Sequence, residues 1–176
     1  MQRVLSGNQK VAAESVDRVQ IKGKFFYQGK QKLFIKGVTY GTFAPTVDDY
    51  QFPDEKTVEA DFRQMAANGI NTVRTYTVPP LYLLELALRF QLKVMVGLPW
   101  EQHIAFLEKK ATKTSIFQRI RQYVQSCQRH PSIFCYTIGN EISASIVRWY
   151  GKEKIENYLR QLYKGISNNL IFDKDF

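Results

Sequence analysis

Four times along this chain, a short β-prone run is followed by a segment with helical periodicity. "IKGVTYG" precedes "PDEKTVEADFRQMAANG", and "INTVRTYT" precedes "PPLYLLELALRF". "LKVMVGL" precedes "TSIFQRIRQYVQSCQRH", and "SIFCYTIG" precedes "KEKIENYLRQLYKGI". Strands that alternate with helices return in the same direction and lie parallel in one sheet. Their near-continuous apolar character implies burial on both faces. Two architectures meet these terms, a doubly wound open sheet and part of a (β/α)8 barrel. The doubly wound fold usually carries a Gly-rich phosphate turn after a strand. None occurs here, which counts against a nucleotide-binding fold.

Local signals set the element ends. Asp54 is placed to cap a helix whose inner face is Val58, Phe62, Met65 and Ala66, with Gly69 as the stop. Pro80 suits the first position of the next helix. Ile116, Ile120, Tyr123, Val124 and Cys127 form the stripe of a third, and Ile155, Leu159, Leu162, Tyr163 and Ile166 that of a fourth. "EQHIAFLEKK" reads as a short helix. Ahead of the rhythm, residues 1–18 read as a flexible lead-in, and "FFYQGKQKLFIKG" as a hairpin turning at Gln28, Gly29 and Lys30. Residues 19–176 then form one αβ domain.

Composition removes several function classes. The formal charge is +9, with basic residues at Lys22, Lys24, Lys30, Lys32 and Lys36 and again at Lys109, Lys110, Lys113, Arg119, Arg121 and Arg129. They alternate with apolar positions as solvated faces do, and no recognition motif accompanies them, so no nucleic-acid partner is expected. Cys127 falls on a helix's apolar stripe and Cys135 inside the strand "SIFCYTIG", and both read as structural thiols. With only His103 and His130 besides, no metal site or other cofactor is expected. No N-terminal apolar segment resembles a signal peptide and no run reaches membrane-spanning length, so the expectation is a soluble cytoplasmic protein without a membrane partner.

Both architectures carry their active sites at the C-terminal ends of the strands. Those ends deliver Thr39 and Tyr40, then Arg74 and Tyr76, then Trp100, Glu101 and His103, and finally Asn140 and Glu141. Aromatic rings that stack on C–H faces, together with an arginine, an amide and a carboxylate for hydroxyls, are a mixture suited to sugars. Each residue also has a plain structural reading. Asn140 and Glu141 can simply start a helix, Arg74 can form an ion pair, and Trp100, Tyr40 and Tyr76 can be packing residues. His103 falls in the short helical stretch and reads as structural.

"IKGVTYGTFAP", "NGINTVRTYTVPP", "LKVMVGLPWEQH" and "HPSIFCYTIGNEI" occur in this order at the ends of successive βα units. Together they resemble the catalytic barrel of the clan A retaining β-glycosidases, and most closely the barrels of glycoside hydrolase family 2 that lack sandwich domains. The resemblance covers about residues 19 to 165. It implies a TIM-type barrel of about four βα units with an N-terminal β-hairpin, acting on β-linked glucosides or glucans by hydrolysis or transglycosylation. It further implies that Glu141 is the general acid/base, that Asn140 binds the sugar 2-hydroxyl, and that Arg74 lies beside the nucleophile. Tyr40 and Trp100 become subsite wall. The family's nucleophile ends a seventh strand, for which this sequence offers no counterpart. A whole barrel takes about 250 residues. The expectation is therefore an incomplete catalytic domain, with self-association through the open barrel edge and a non-catalytic carbohydrate-binding or structural half barrel as the alternative.

Overall fold

A computed structural model describes residues 18–44, 51–127 and 130–170. The described residues fall into two units, divided between Leu33 and Phe34. The lead-in expected over residues 1–18 lies outside the described residues except for Arg18, as do Arg129 and residues 171–176.

The first unit is a three-stranded antiparallel sheet of β1 (Val19–Lys22), β2 (Phe25–Gln28) and β3 (Gln31–Leu33). Its hairpin loops are Gly23-Lys24 and Gly29-Lys30, where both glycines have positive φ, at 62° and 58°. Two-residue hairpins need that conformation to match the strand twist. The expected hairpin is thus extended by β1. The run from Lys32 does not continue into the core strand, because β3 ends at Leu33 and the next strand starts in another sheet.

The second unit is the αβ part. A parallel sheet runs in the order β4 (Gly37–Thr39), β5 (Thr72–Thr75), β6 (Lys93–Gly97), β7 (Ile133–Thr137). Helices α1 (Glu55–Ala67), α2 (Leu81–Arg89) and α3 (Lys110–Cys127) connect successive strands, and α4 (Ala144–Tyr150) and α5 (Lys152–Leu170) follow β7. Strand order that follows chain order, with a helix in each crossover, is the local pattern of a (β/α) barrel of the TIM type.

The helix boundaries have local causes. Asp54 caps α1 by accepting from Thr57 N at 3.0 Å. Pro80 is the residue just before α2, one position earlier than its sequence placement. The helices lay Val58, Phe62, Leu83, Leu84, Ile116, Ile120, Val124, Ile155 and Leu162 against Val73, Val94 and Val96, all of them buried. On α5, Tyr158 takes the buried place expected for Tyr163, which is 61% exposed.

Burial on both faces holds only in part: Thr72 and Lys93 are buried on the face opposite the helices, but other positions there are not. Side chains alternate along a strand, and Arg74, Met95 and Cys135, on the face opposite the helices, are only half-buried. Edge strand β4 is exposed along its whole length. Central strands β5 and β6 are mostly buried because they have a strand on each side. Cys127 lies against the helix layer, and burial raises its thiol pKa. Burial also pushes the Cys135 thiol up to about 11. Such thiols stay protonated, in keeping with a packing role.

Candidate active site

The strand register sets the rim. Thr39 stands beside Arg74, Thr75 beside Val96, and Gly97 beside Thr137. The C-terminal ends of β5, β6 and β7 therefore finish at one level, and the segments after them meet. Gly97 permits this. A Cβ there would lie 2.5 Å from the carbonyl oxygens of both Thr75 and Tyr76. Only glycine lets the two backbones approach so closely.

At that level Arg74 reaches across from β5 and donates from Nη2 to Asn140 Oδ1 at 2.6 Å. Its guanidinium also lies 5.1 Å from the centroid of the Tyr76 ring. The backbone of Asn140 is held from the other side by Gln102, in the segment after β6. Asn140 N donates to Gln102 Oε1 at 2.8 Å, and Gln102 Nε2 donates to the Asn140 carbonyl oxygen. Trp100 holds the previous turn, donating from Nε1 to the Ile138 carbonyl at 3.3 Å. Asn140 is thereby fixed in both backbone and side chain. Glu141 follows it, exposed and left-handed with φ 54°. That conformation is uncommon for a residue with a side chain.

A cavity of about 220 Å³ lies in front of this array, lined among others by Arg74, Tyr76, Trp100, Gln102, His103 and Asn140. Arg74 Nε is buried and has no hydrogen-bond partner among the described residues. Glu101 is turned away, paired with Arg119 Nη2 on α3. That hydrogen bond holds the Glu101 carboxyl below its ordinary range. Among the described residues, no group of His, Cys, Asp and Glu is placed to hold a metal ion, and no helix is long and apolar enough to cross a membrane.

Of the residues singled out from sequence, Arg74, Tyr76, Trp100, His103 and Asn140 come together around the cavity, with Glu141 next in chain. Tyr40 does not join them. It is 5% exposed, packs edge-on against Phe43 and Phe62, and donates its hydroxyl to Asp61 on α1 at 2.7 Å. Burial and that hydrogen bond raise its pKa far above the ordinary phenol value. Trp100 combines two positions, lining the cavity while its ring stacks edge-on against Phe106 and Tyr158 in the core. Asn140 does not start a helix: Ser143 does, accepting from Ile146 N at 3.4 Å to cap α4. The helix expected over "EQHIAFLEKK" is a series of turns up to Lys109. Its geometry is dictated by Gln102 and by Phe106, which is fully buried. Gln102 carried no sequence signal beyond its place after a strand.

Residues 8–170 match the glucanosyltransferase family, glycoside hydrolase family 72. The chain belongs to that family. The narrower resemblance to glycoside hydrolase family 2 is not supported. No curated protein matches the sequence. Among solved structures, β-glucuronidase of Parabacteroides merdae with glycerol in its active site superposes with a TM-score of 0.72 at 18% identity, over 88% of this chain and 19% of that one. Gas2 in complex with a compound superposes at 0.66 and 20% identity, over 86% of this chain and 37% of that one. β-D-glucuronidase of Dictyoglomus thermophilum gives 0.69 and 19%, over 86% and 27%. At these identities the likeness is one of fold. This glucanosyltransferase-family chain spans about a fifth of the Parabacteroides enzyme and just over a third of Gas2.

Proposed function

We propose that this chain supplies the acid/base side of a retaining active site for β-linked glucans, with transfer to a second sugar or to water as the outcome. Glu141 is the general acid/base. It protonates the glycosidic oxygen as the C–O bond breaks, then takes a proton from the incoming hydroxyl. Asn140 binds the 2-hydroxyl of the donor sugar, an interaction that strengthens as the ring gains oxocarbenium character. Arg74 orients Asn140.

The observation that carries this reading is the immobilised Asn140 at the strand mouth, held by Arg74 on its side chain and Gln102 on its backbone. A chain turn that merely began a helix would need neither partner. Membership of the glucanosyltransferase family supports the same reading.

A retaining mechanism requires a second carboxylate about 5 Å from the first. The unpartnered Nε of Arg74 suits an acceptor in that position. Among the described residues the other carboxylate at a strand mouth is Glu101, which is committed to Arg119. In this reading the nucleophile comes from outside the four strands of the parallel sheet. The alternative reading is a binding module without turnover.

Joined to the segment that carries the nucleophile, the chain incubated with laminaripentaose or cellopentaose and read by mass spectrometry tests the proposal. Longer and shorter products are expected, and Glu141→Gln should reduce their formation by about 10²–10⁴. Equal product from the variant sinks the acid/base assignment. Calorimetric binding with no product in either protein leaves the binding module.

A further inference from the structure

A second groove lies on the helical side of the αβ unit, between α3, α4 and α5, with a volume of about 590 Å³. That is within the usual range of about 300–1,000 Å³ for small-molecule sites. Its most unusual wall is Trp149 on α4, which is 73% exposed. An exposed tryptophan is ordinarily free to rotate. This one is tethered, since its Nε1 donates to Glu108 Oε1 at 3.1 Å. The neighbouring Tyr150 is tied as well, its hydroxyl accepting from Leu107 N at 3.2 Å. The rest of the lining includes Asn157, Gln161, Lys113 and Lys154.

We infer that this groove is a second carbohydrate-binding site, taking a pyranose segment of a neutral β-glucan chain through stacking on Trp149. The chemistry selects the ligand. A pyranose has an apolar C–H face for a ring whose rotation is already restricted, so little conformational entropy is lost on binding. Its hydroxyls need donors and acceptors at the margin, which amides and ammonium groups provide. The groove's one lining carboxylate, Glu108, is already used by the indole. The groove is bounded on both sides by described helices.

The groove is also joined to the rim. Its floor residue Tyr158 stacks on Phe106 at 5.3 Å and on Trp100 at 6.0 Å, and Trp100 lines the rim cavity. One aromatic layer therefore separates the two places. A glucan held at Trp149 is kept near the rim, which raises its effective concentration there. That consequence rests on the function proposed above; the binding itself does not.

The chain has two tryptophans, Trp100 and Trp149, and each marks one site. Their two indole N–H signals in a ¹H–¹⁵N spectrum, assigned with Trp149→Phe, report the sites separately. Titration with laminaripentaose and with cellopentaose should shift the Trp149 signal saturably. Trp149→Ala should weaken that binding, read by calorimetry, about tenfold or more, which is about 1.4 kcal/mol per tenfold. Gln161→Ala, elsewhere in the groove, should weaken it while leaving the Trp149 signal of the free protein in place. A shift of Trp149 alone supports the groove and counts against sugar binding at the rim. A shift of Trp100 alone overturns the groove and leaves the rim reading standing. No shift of either signal at millimolar sugar overturns both.

Discussion

Gln102 offers the sharpest test of how the rim is held, because its side chain matches the backbone of Asn140 with one acceptor and one donor. Gln102→Ala removes both at once. A buried backbone group left without a partner costs about 1–3 kcal/mol. Asn140 is only half-buried, so water recovers part of the loss, and about 2–3 kcal/mol in total is expected. Gln102→Glu is more informative, because it keeps the shape and the acceptor and changes only the donor. When the new carboxyl is protonated, its O–H can donate to the Asn140 carbonyl in place of Nε2. When ionised, it sets a negative oxygen against that carbonyl. Its folded pKa must then lie above the unfolded value of about 4.3. The stability linked to the protonated form is complete below the unfolded pKa and is lost as pH rises through the folded pKa. The variant should thus fall within about 0.5 kcal/mol of wild type near pH 4 and about 2–3 kcal/mol short of it near pH 7.5. Urea unfolding followed by circular dichroism, with wild type as reference at each pH, measures both. The same deficit at the two pH values, or none at either, would refute the bidentate hold on Asn140.

Two further outcomes follow from the same rim. Gly97→Ala places a methyl against two backbone carbonyls that cannot rotate away, so a loss of about 1–3 kcal/mol is expected in urea unfolding. A shift of the Asn140 amide signal should accompany it, and an unaltered spectrum would contradict the close approach of β5 and β6. Arg119→Met releases Glu101, whose carboxyl should return upward toward its ordinary value in a carbon-detected NMR titration. Both partners are more than a third exposed, so the stability cost should stay below about 1 kcal/mol. Because the folded pKa is depressed, that small contribution is present above the unfolded pKa and disappears as pH falls through the folded one.

The sequence alone carried the alternation of strands and helices, the cap at Asp54, and the buried stripes of α1, α3 and α5, apart from the exchange of Tyr158 for Tyr163. These are local or periodic properties, set by backbone geometry and by which side of each element meets water. It also placed Arg74, Trp100, Asn140 and Glu141 at strand ends, because parallel sheets put all such ends on one side. It could not separate Tyr40 from that group. Its place in the helix layer is set by contacts with Asp61 and Phe62, which no local spacing announces.

The segment from Glu101 to Lys109 shows the same limit. Its local pattern favours a helix, but Gln102 is drawn to a backbone 38 residues away. Phe106 is drawn into the cluster of Trp100, Tyr150 and Tyr158. Satisfying buried polar groups and filling the core outweigh a few tenths of a kcal/mol of propensity per residue. Periodicity thus determined the elements and the side of the sheet on which their ends lie. Only the tertiary structure decided which side chains at those ends face one another, because such contacts join residues that no local spacing relates.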